Sequence, residues 1–306
     1  MIDIKEVAEN IYLIDNNLYS IPEYGATYFL DEAKKALIDV GPSTSSQSVL
    51  KGIRDLGFKP EDIKYIIVTH IHFDHAGGAG ILMKEMPQAK LVVHSRGARH
   101  MINPERLLKS MWKTLGEEGI TRNGEITPVR AEQVMAVKDN DCIKLSKEQV
   151  LTVIDAPGHA PHELCFYESR NGGIFSGDAA GNFSGEGIIE PLTPQPSFNL
   201  EKSIATLERL MALNANLIYF GHFGISDKVN KNLKLVIDKL KNHNDIIAAS
   251  AENDFKQAAE KIIAQDRESM KPLRENMKPL YEHLTDVIMP VSVLGHIDYY
   301  KKAHNI

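Results

Sequence analysis

The 306-residue sequence predicts an α/β fold in which two mixed β-sheets form a sandwich flanked by helices, with a helical appendage at the C-terminal end. Three observations predict it. Short β-rich runs fall into two series, separated by an irregular stretch at residues 120–133. Helical periodicities alternate with both series. Beyond Asp227 the strand signal stops, and apolar residues recur only at helical spacing. With 43% apolar residues the chain can bury a substantial core.

The elements follow in order. Ile11 to Ile14 and Ala26 to Leu30 are strand-like, and a polar turn (Asp31-Glu-Ala-Lys-Lys) leads to a third strand, Ala36 to Val40, which stops at Gly41-Pro42. Ser45 to Leu56 carries Val49, Leu50, Ile53 and Leu56 at helical spacing and is closed by Gly57. Strands and helices then alternate: strand Ile63 to Val68, helix Gly78 to Met86, strand Lys90 to His94, helix Leu107 to Leu115. In that last helix Met111 and Trp112 read as core. The second β series comprises Val134 to Val137, Cys142 to Leu145, Val150 to Ile154, Leu164 to Tyr167 and Gly173 to Phe175. A Gly/Pro-rich connection (Gly181 to Ser197), a helix (Leu200 to Leu213) and a last strand (Leu217 to Phe220) complete it. The division expected is residues 1–226 as a catalytic domain and 227–306 as a helical region. Pro272, Pro279 and Pro290 would each open a helix there.

Composition narrows the function. Acidic residues outnumber basic ones by 41 to 35, for a net charge of −6, which disfavours a large nucleic-acid surface. No run of about 18 apolar residues is present, and the N-terminus lacks a basic region followed by an apolar one, so neither a membrane span nor export is expected. Two cysteines, Cys142 and Cys165, make no disulfide framework and fit a reducing, cytoplasmic setting.

The 12 histidines are informative by placement. Residues 66 to 80 read IIVTHIHFDHAGGAG, an apolar strand running into His70-Ile-His72-Phe-Asp74-His75 and then a helix rich in small residues. In a local turn this spacing lets His70 and His72 face one way while Asp74 and His75 face another, so that four ligands serve two neighbouring metals. Imidazole and carboxylate suit zinc, iron or manganese. A lone histidine is more often a surface or hydrogen-bonded residue than a ligand, but four potential ligands within six residues rarely arise by accident. Three further turns each deliver a ligand type after a β run: Asp155-Ala-Pro-Gly-His159, Phe175-Ser-Gly-Asp178 and Leu217-Ile-Tyr-Phe-Gly-His222.

On these residues the sequence resembles the metallo-β-lactamase superfamily over residues 10 to about 225. The resemblance implies the four-layer αββα sandwich. It also implies two divalent metal ions, zinc first, with iron or manganese as alternatives. His70, His72 and His159 would hold one metal and Asp74, His75 and His222 the other, with Asp178 bridging. Asp178 stands where the best-known antibiotic-degrading enzymes carry Cys, so the pattern is more similar to the glyoxalase II, lactonase and ribonuclease Z branches. The stretch His94-Ser-Arg-Gly-Ala-Arg-His100 and the helical C-terminus resemble a prokaryotic subgroup. Lactonases carry Tyr three residues after the bridging aspartate, where this sequence has Gly181.

The activity so implied is metal-dependent hydrolysis of a small ester, thioester or lactone by a hydroxide that two cations about 3.5–4 Å apart generate from water. Asp74 and Asp178 are the catalytic candidates, Asp74 orienting the nucleophile. Thr69, Asp155 and backbone carbonyls are candidate partners for the ligand histidines' free N–H groups. Substrate contacts are sought in Tyr19 and Tyr24, from an apolar loop (Leu18, Tyr19, Ile21, Tyr24) that either overhangs the site or packs beneath itself, and in Asn182 and Phe183. The helical region would cap the cleft or build a homodimer, and His296 reads as structural. Two rival activities remain. A single-iron persulfide dioxygenase would use only His70, His159 and Asp178. A ribonuclease Z-like phosphodiesterase would need a basic arm or inserted domain that the sequence lacks.

Overall fold

A computed structural model describes residues 3–185, 187–250 and 254–306, apart from the side chains of Met111, Thr114 and Leu115. The first sheet has seven strands in chain order: β1 (Ile4–Ala8), β2 (Ile11–Asp15), β3 (Ala26–Leu30), β4 (Lys35–Ile38), β5 (Ile63–Ile67), β6 (Lys90–His94) and β7 (Val134–Val137). β1 to β4 are antiparallel, and β4 to β7 pair in parallel, so each of the later strands needs a crossover. Helix α1 (Ser46–Asp55) makes the first. α2 (Phe73–Ala76) with α3 (Ala79–Glu85) makes the second, and α4 (Ser95–Ile102) with α5 (Glu105–Asn123) the third.

The second sheet runs β15-β14-β11-β10-β9-β8, built from β8 (Cys142–Lys144), β9 (Val150–Asp155), β10 (Leu164–Glu168), β11 (Gly173–Phe175), β14 (Leu217–Tyr219) and β15 (Ile225–Ser226). β12 (Asn182–Phe183) and β13 (Ile189–Glu190) form a separate hairpin, and α6 (Leu200–Ala212) leads into β14, which lies parallel to β11.

Successive strand residues point to opposite faces, and this sorts the apolar side chains into layers. In β5, Ile66 packs beneath α1 and α3 while Ile67 enters the space between the sheets. In β6, Leu91 and Val93 go one way and Val92 the other. The inter-sheet core also takes Tyr28, Leu151, Val153, Phe166 and Phe175, and Leu207, Leu210 and Leu233 cover the outer face of the second sheet. The result is the four-layer αββα sandwich.

The C-terminal helices are α7 (Val229–Ala248), α8 (Phe255–Ser269), α9 (Lys271–Asn276), α10 (Lys278–His283) and α11 (Met289–His304); α9, α10 and α11 each carry Pro in their first turn. They share a core with Leu18, Ile21 and Tyr24, so the loop after β2 buries its apolar side chains against the C-terminal helices. Among the described residues no helix is long and apolar enough to cross a membrane.

Several elements differ from the sequence reading. β1 was unforeseen, because an edge strand with two exposed residues of five carries little apolar signal. α4 follows His94 directly, in a stretch to which the sequence reading assigned no element. α5 extends to Asn123, into the stretch read as irregular, and bends at Gly116 (φ 63°). The connection from Gly181 to Ser197 contains the β12–β13 hairpin, and β14 is followed by one more short strand. Trp112, read as core, is 59% exposed, and Met111's side chain lies outside the described residues.

Candidate metal centre

The candidate ligands sit where strands end. β4 and β5 are parallel with Ile38 opposite Ile67, so Asp39 and the Thr69–His75 turn emerge at the same sheet end. β11 and β14 are parallel with Phe175 opposite Tyr219, which delivers Asp178 and His222, each three residues further on, to one edge. His159 lies on the turn after β9, and the backbone bond from Leu164 N–H to Thr69 O (2.8 Å) joins the two sheets there. Gly177 is required at its position: its φ is +51°, and a Cβ would stand 2.3 Å from Glu163 Oε1 and 2.7 Å from Thr69 Cβ.

All seven predicted positions converge. Donor atoms of His70, His72, His159 and Asp178 form one group and those of Asp74, His75 and His222 a second, the atoms within a group lying within 4.8 Å of one another. Asp178 addresses both. Its Oδ2 is 3.4 Å from His159 Nε2 and 3.8 Å from His70 Nε2, while Oδ1 is 3.2 Å from His75 Nε2 and 3.4 Å from His222 Nε2. Asp74 Oδ2 stands 3.9 Å from His75 Nε2 and 4.0 Å from His222 Nε2. His70, His75, His159, Asp178 and His222 are buried, whereas His72 and Asp74 are half-buried.

The outer hydrogen bonds set the tautomers. His75 Nδ1–H donates to Asp39 Oδ2 (2.9 Å), and His159 Nδ1–H donates to the Leu192 carbonyl (3.0 Å). His70 Nδ1 faces Thr69 Oγ1 (3.1 Å) and Glu163 Oε2 (3.2 Å). With protons on these outer nitrogens, the Nε2 lone pairs point inward. His70 Nε2 and His159 Nε2 each lie 2.9 Å from His72 Nδ1, which can supply at most one proton. His75 Nε2 and Asp178 Oδ1 are buried without a hydrogen-bond partner. Inward lone pairs that no proton satisfies fit cations, and the donor set of imidazole and carboxylate suits zinc, iron or manganese.

The electrostatics agree with that fit at His70, His72 and His159, whereas at His75 burial is outweighed by Asp178, Asp39 and Asp74, which raise it well above the usual range, so that this imidazole must give up a proton to bind a cation. Burial, then the neighbouring imidazoles, keeps His70 and His72 neutral well below the usual histidine range, and burial lowers His159 too. Neutral imidazole is the form that binds metal. Burial opposes charge on Asp178, yet His75, His222 and His159 together hold its carboxyl well below the usual range. Glu163, pushed up by burial and by Asp178, accepts the Asp178 backbone N–H at 2.9 Å and so fixes that turn.

Of the outer partners anticipated, Thr69 is in place and donates its hydroxyl to Asp39 Oδ2 (2.8 Å). Asp155 is not: it pairs with His94 Nε2 at 3.1 Å. Asp39 and Glu163 were missed. Asp39's signal was an acid following the apolar run of β4, the same strand-end pattern that marked the ligands.

The substrate candidates separate. Tyr24 stacks on His222 (ring centroids 4.9 Å apart), with Tyr19 6.4 Å from it and His283 of α10 at 5.0 Å. Tyr19 donates to Asn123 Oδ1 (3.0 Å) beneath Arg122, 4.7 Å from its ring. Asn182 is buried in the hairpin with its Nδ2 unpartnered, and Phe183 stacks on Phe220 at 4.4 Å. His283, which sequence reasoning did not single out, is held neutral, its pKa lowered to about 4 by burial and then by Arg122 and His222. His296 is buried away from the centre, against Phe198 and His243.

Comparison with known proteins gives the same reading of the fold. The family model described as metallo-beta-lactamase superfamily matches residues 21–222. A metallo-beta-lactamase fold-containing protein of Sulfurisphaera tokodaii is 29% identical over 227 residues, covering 71% of this chain and 80% of its own. An acyl-coenzyme A thioesterase of Gallus gallus is 28% identical over 156 residues, 48% of this chain and 50% of its own. The crystal structure of a metallo-beta-lactamase family protein from Thermus thermophilus superposes with a TM-score of 0.70 at 18% identity, covering 98% of this chain and 95% of that one.

Proposed function

This chain belongs to the metallo-β-lactamase superfamily, and from that premise we propose that it hydrolyses a small ester, thioester or lactone with two divalent cations, zinc first among them. The observation that carries the reading is Asp178, whose two carboxylate oxygens each face a different group of imidazoles. His70, His72 and His159 would hold one cation and Asp74, His75 and His222 the other, with Asp178 between them. Such a pair of cations supplies the positive charge that ionises a water near neutral pH and draws electron density from a carbonyl oxygen.

The chain's own residues do the rest. Asp39 and the Leu192 carbonyl fix the tautomers of His75 and His159. Asp74, whose side chain is 25% exposed, orients the attacking water by accepting its hydrogen bond. Tyr19 and Tyr24 form an aromatic wall beside His222 that excludes water from one side of the centre. A single iron on His70, His159 and Asp178 would leave Asp74, His75 and His222 idle although their donor atoms gather within 4.8 Å of one another, which disfavours the dioxygenase rival. The net charge of −6 disfavours the nuclease. A thioester is the first substrate to try, since one relative is named an acyl-coenzyme A thioesterase.

The test is a panel of thioester, ester, lactone, β-lactam and phosphodiester substrates assayed with zinc-loaded protein, beside Asp178→Ala. Turnover is expected among the first three classes, and the variant loses both hydrolysis and about one equivalent of metal. Full activity and metal content in the variant would reject the bridging role.

A further inference from the structure

A cleft of about 480 Å³ opens beside the histidine cluster. Ile71, between His70 and His72 in the chain, forms part of its wall together with Leu107 and Pro161. His162 also lines it, with its ring 5.7 Å from that of His72 and 6.3 Å from that of His70. The cleft therefore lies next to the metal centre's first ligand group, with Ile71 and His162 between them.

Its rim is cationic. Arg96, Arg99 and His100, from the first and second turns of α4, line it. Arg96 Nη1 donates to the Pro161 carbonyl (3.4 Å), and Arg99 Nε donates to His100 Nε2 (3.1 Å). Among the described residues no carboxylate lies within 4.0 Å of either guanidinium. One helix further on, by contrast, Lys109 is paired with Glu105 at 2.6 Å. In a chain of net charge −6, two arginines left without acidic partners at the mouth of a half-apolar cleft keep most of their donors free for a ligand.

We propose that this cleft binds an anionic tail, carboxylate or phosphate, carried by the substrate, with Arg96 and Arg99 taking the charge and Ile71, Leu107 and Pro161 packing on the aliphatic part. The bond cleaved rests on the hydrolase reading above; the anion site rests on the cleft's own geometry. Planar guanidinium suits both oxyanions, and for two partly solvated arginines a loss of about tenfold in affinity per residue is expected on removal, less at high salt.

Calorimetric titration of the zinc-loaded protein with glutarate, propyl phosphate and the uncharged glutaramide tests it. At least one anion binds, its identity separating carboxylate from phosphate, and glutaramide does not. Arg96→Gln/Arg99→Gln weakens that binding about a hundredfold, Arg96→Lys/Arg99→Lys recovers part of it, and Lys109→Gln leaves it unchanged. In turnover, the kcat/KM of a succinyl thioester relative to a propionyl thioester falls at least tenfold in the glutamine double variant. Arginine-dependent binding without turnover of any ester, thioester or lactone would sink the hydrolase reading and leave this one standing. Anion binding indifferent to both arginines, as cations alone would give, or no anion binding at all, overturns it.

Discussion

Replacing Asp39 by Asn tests whether the buried carboxylate behind the centre sets its metal affinity. Asp39 accepts three hydrogen bonds, from Thr69 N–H (2.8 Å), Thr69 Oγ1–H (2.8 Å) and His75 Nδ1–H (2.9 Å). An amide nitrogen in place of Oδ2 would meet two donors, and the flipped amide would meet the Thr69 N–H instead. Either way a buried donor is orphaned, costing about 1–3 kcal/mol of stability. His75 relieves the clash by moving its proton to Nε2, where it faces Asp178 Oδ1 and closes off a ligand lone pair. Loss of such an outer partner typically weakens metal binding 10–100-fold, or about 1.4–2.8 kcal/mol at 1.4 per decade. The assay is competition for zinc against a chromophoric chelator, with hydrolysis followed in parallel. The second equivalent should weaken by that factor while the first changes less, and excess zinc should restore most of the rate. Two equivalents bound with wild-type affinity by a folded Asp39→Asn variant would refute the reasoning.

Two other predictions concern the surroundings. The Tyr24 hydroxyl is buried without a hydrogen-bond partner, so Tyr24→Phe should match or exceed wild-type stability in urea unfolding. Tyr24→Ala should lose about 3–5 kcal/mol and weaken zinc binding through the unsupported His222. His296 has its pKa lowered to about 3 by burial and then by His243, and neither ring nitrogen has a partner. Since the folded pKa lies below the unfolded value near 6.5, the unfolded chain binds the proton first. Its contribution is intact above pH 6.5 and drains away toward pH 3, at about 1.4 kcal/mol per unit. Urea unfolding between pH 7 and 4 should show that slope, and His296→Leu should flatten it by one proton's worth.

Much of this molecule is legible in its sequence because the strands are short, β-branched and punctuated. Ala26–Leu30, Lys90–His94, Val134–Val137 and Gly173–Phe175 fall where the pattern puts them. The ligand residues are legible for a related reason: each follows an apolar run, with the His70–His75 turn, Asp178 and His222 at sheet ends where parallel strands release their chain together and His159 after antiparallel β9. Missing from the sequence were contacts that depend on tertiary placement. Asp39 follows an apolar run as the ligands do but has no second ligand type beside it, and Glu163 precedes β10, where no strand-end pattern marks it. His283 reaches Tyr24 only because α10 folds back over the loop after β2, a contact between residues more than 250 apart in sequence. β1 and β15 escaped for lack of apolar signal, and α4 because only Gly97 and Met101 of its eight residues are buried, too few to set a helical period.

The claim on which the account rests is that two cations share Asp178. Anomalous diffraction from crystals of the zinc-loaded protein, recorded on both sides of the zinc absorption edge, tests it most directly. The account predicts two peaks, one among His70, His72, His159 and Asp178 Oδ2, the other among Asp74, His75, His222 and Asp178 Oδ1. A single peak, or density remote from Asp178 at saturating zinc, would contradict it.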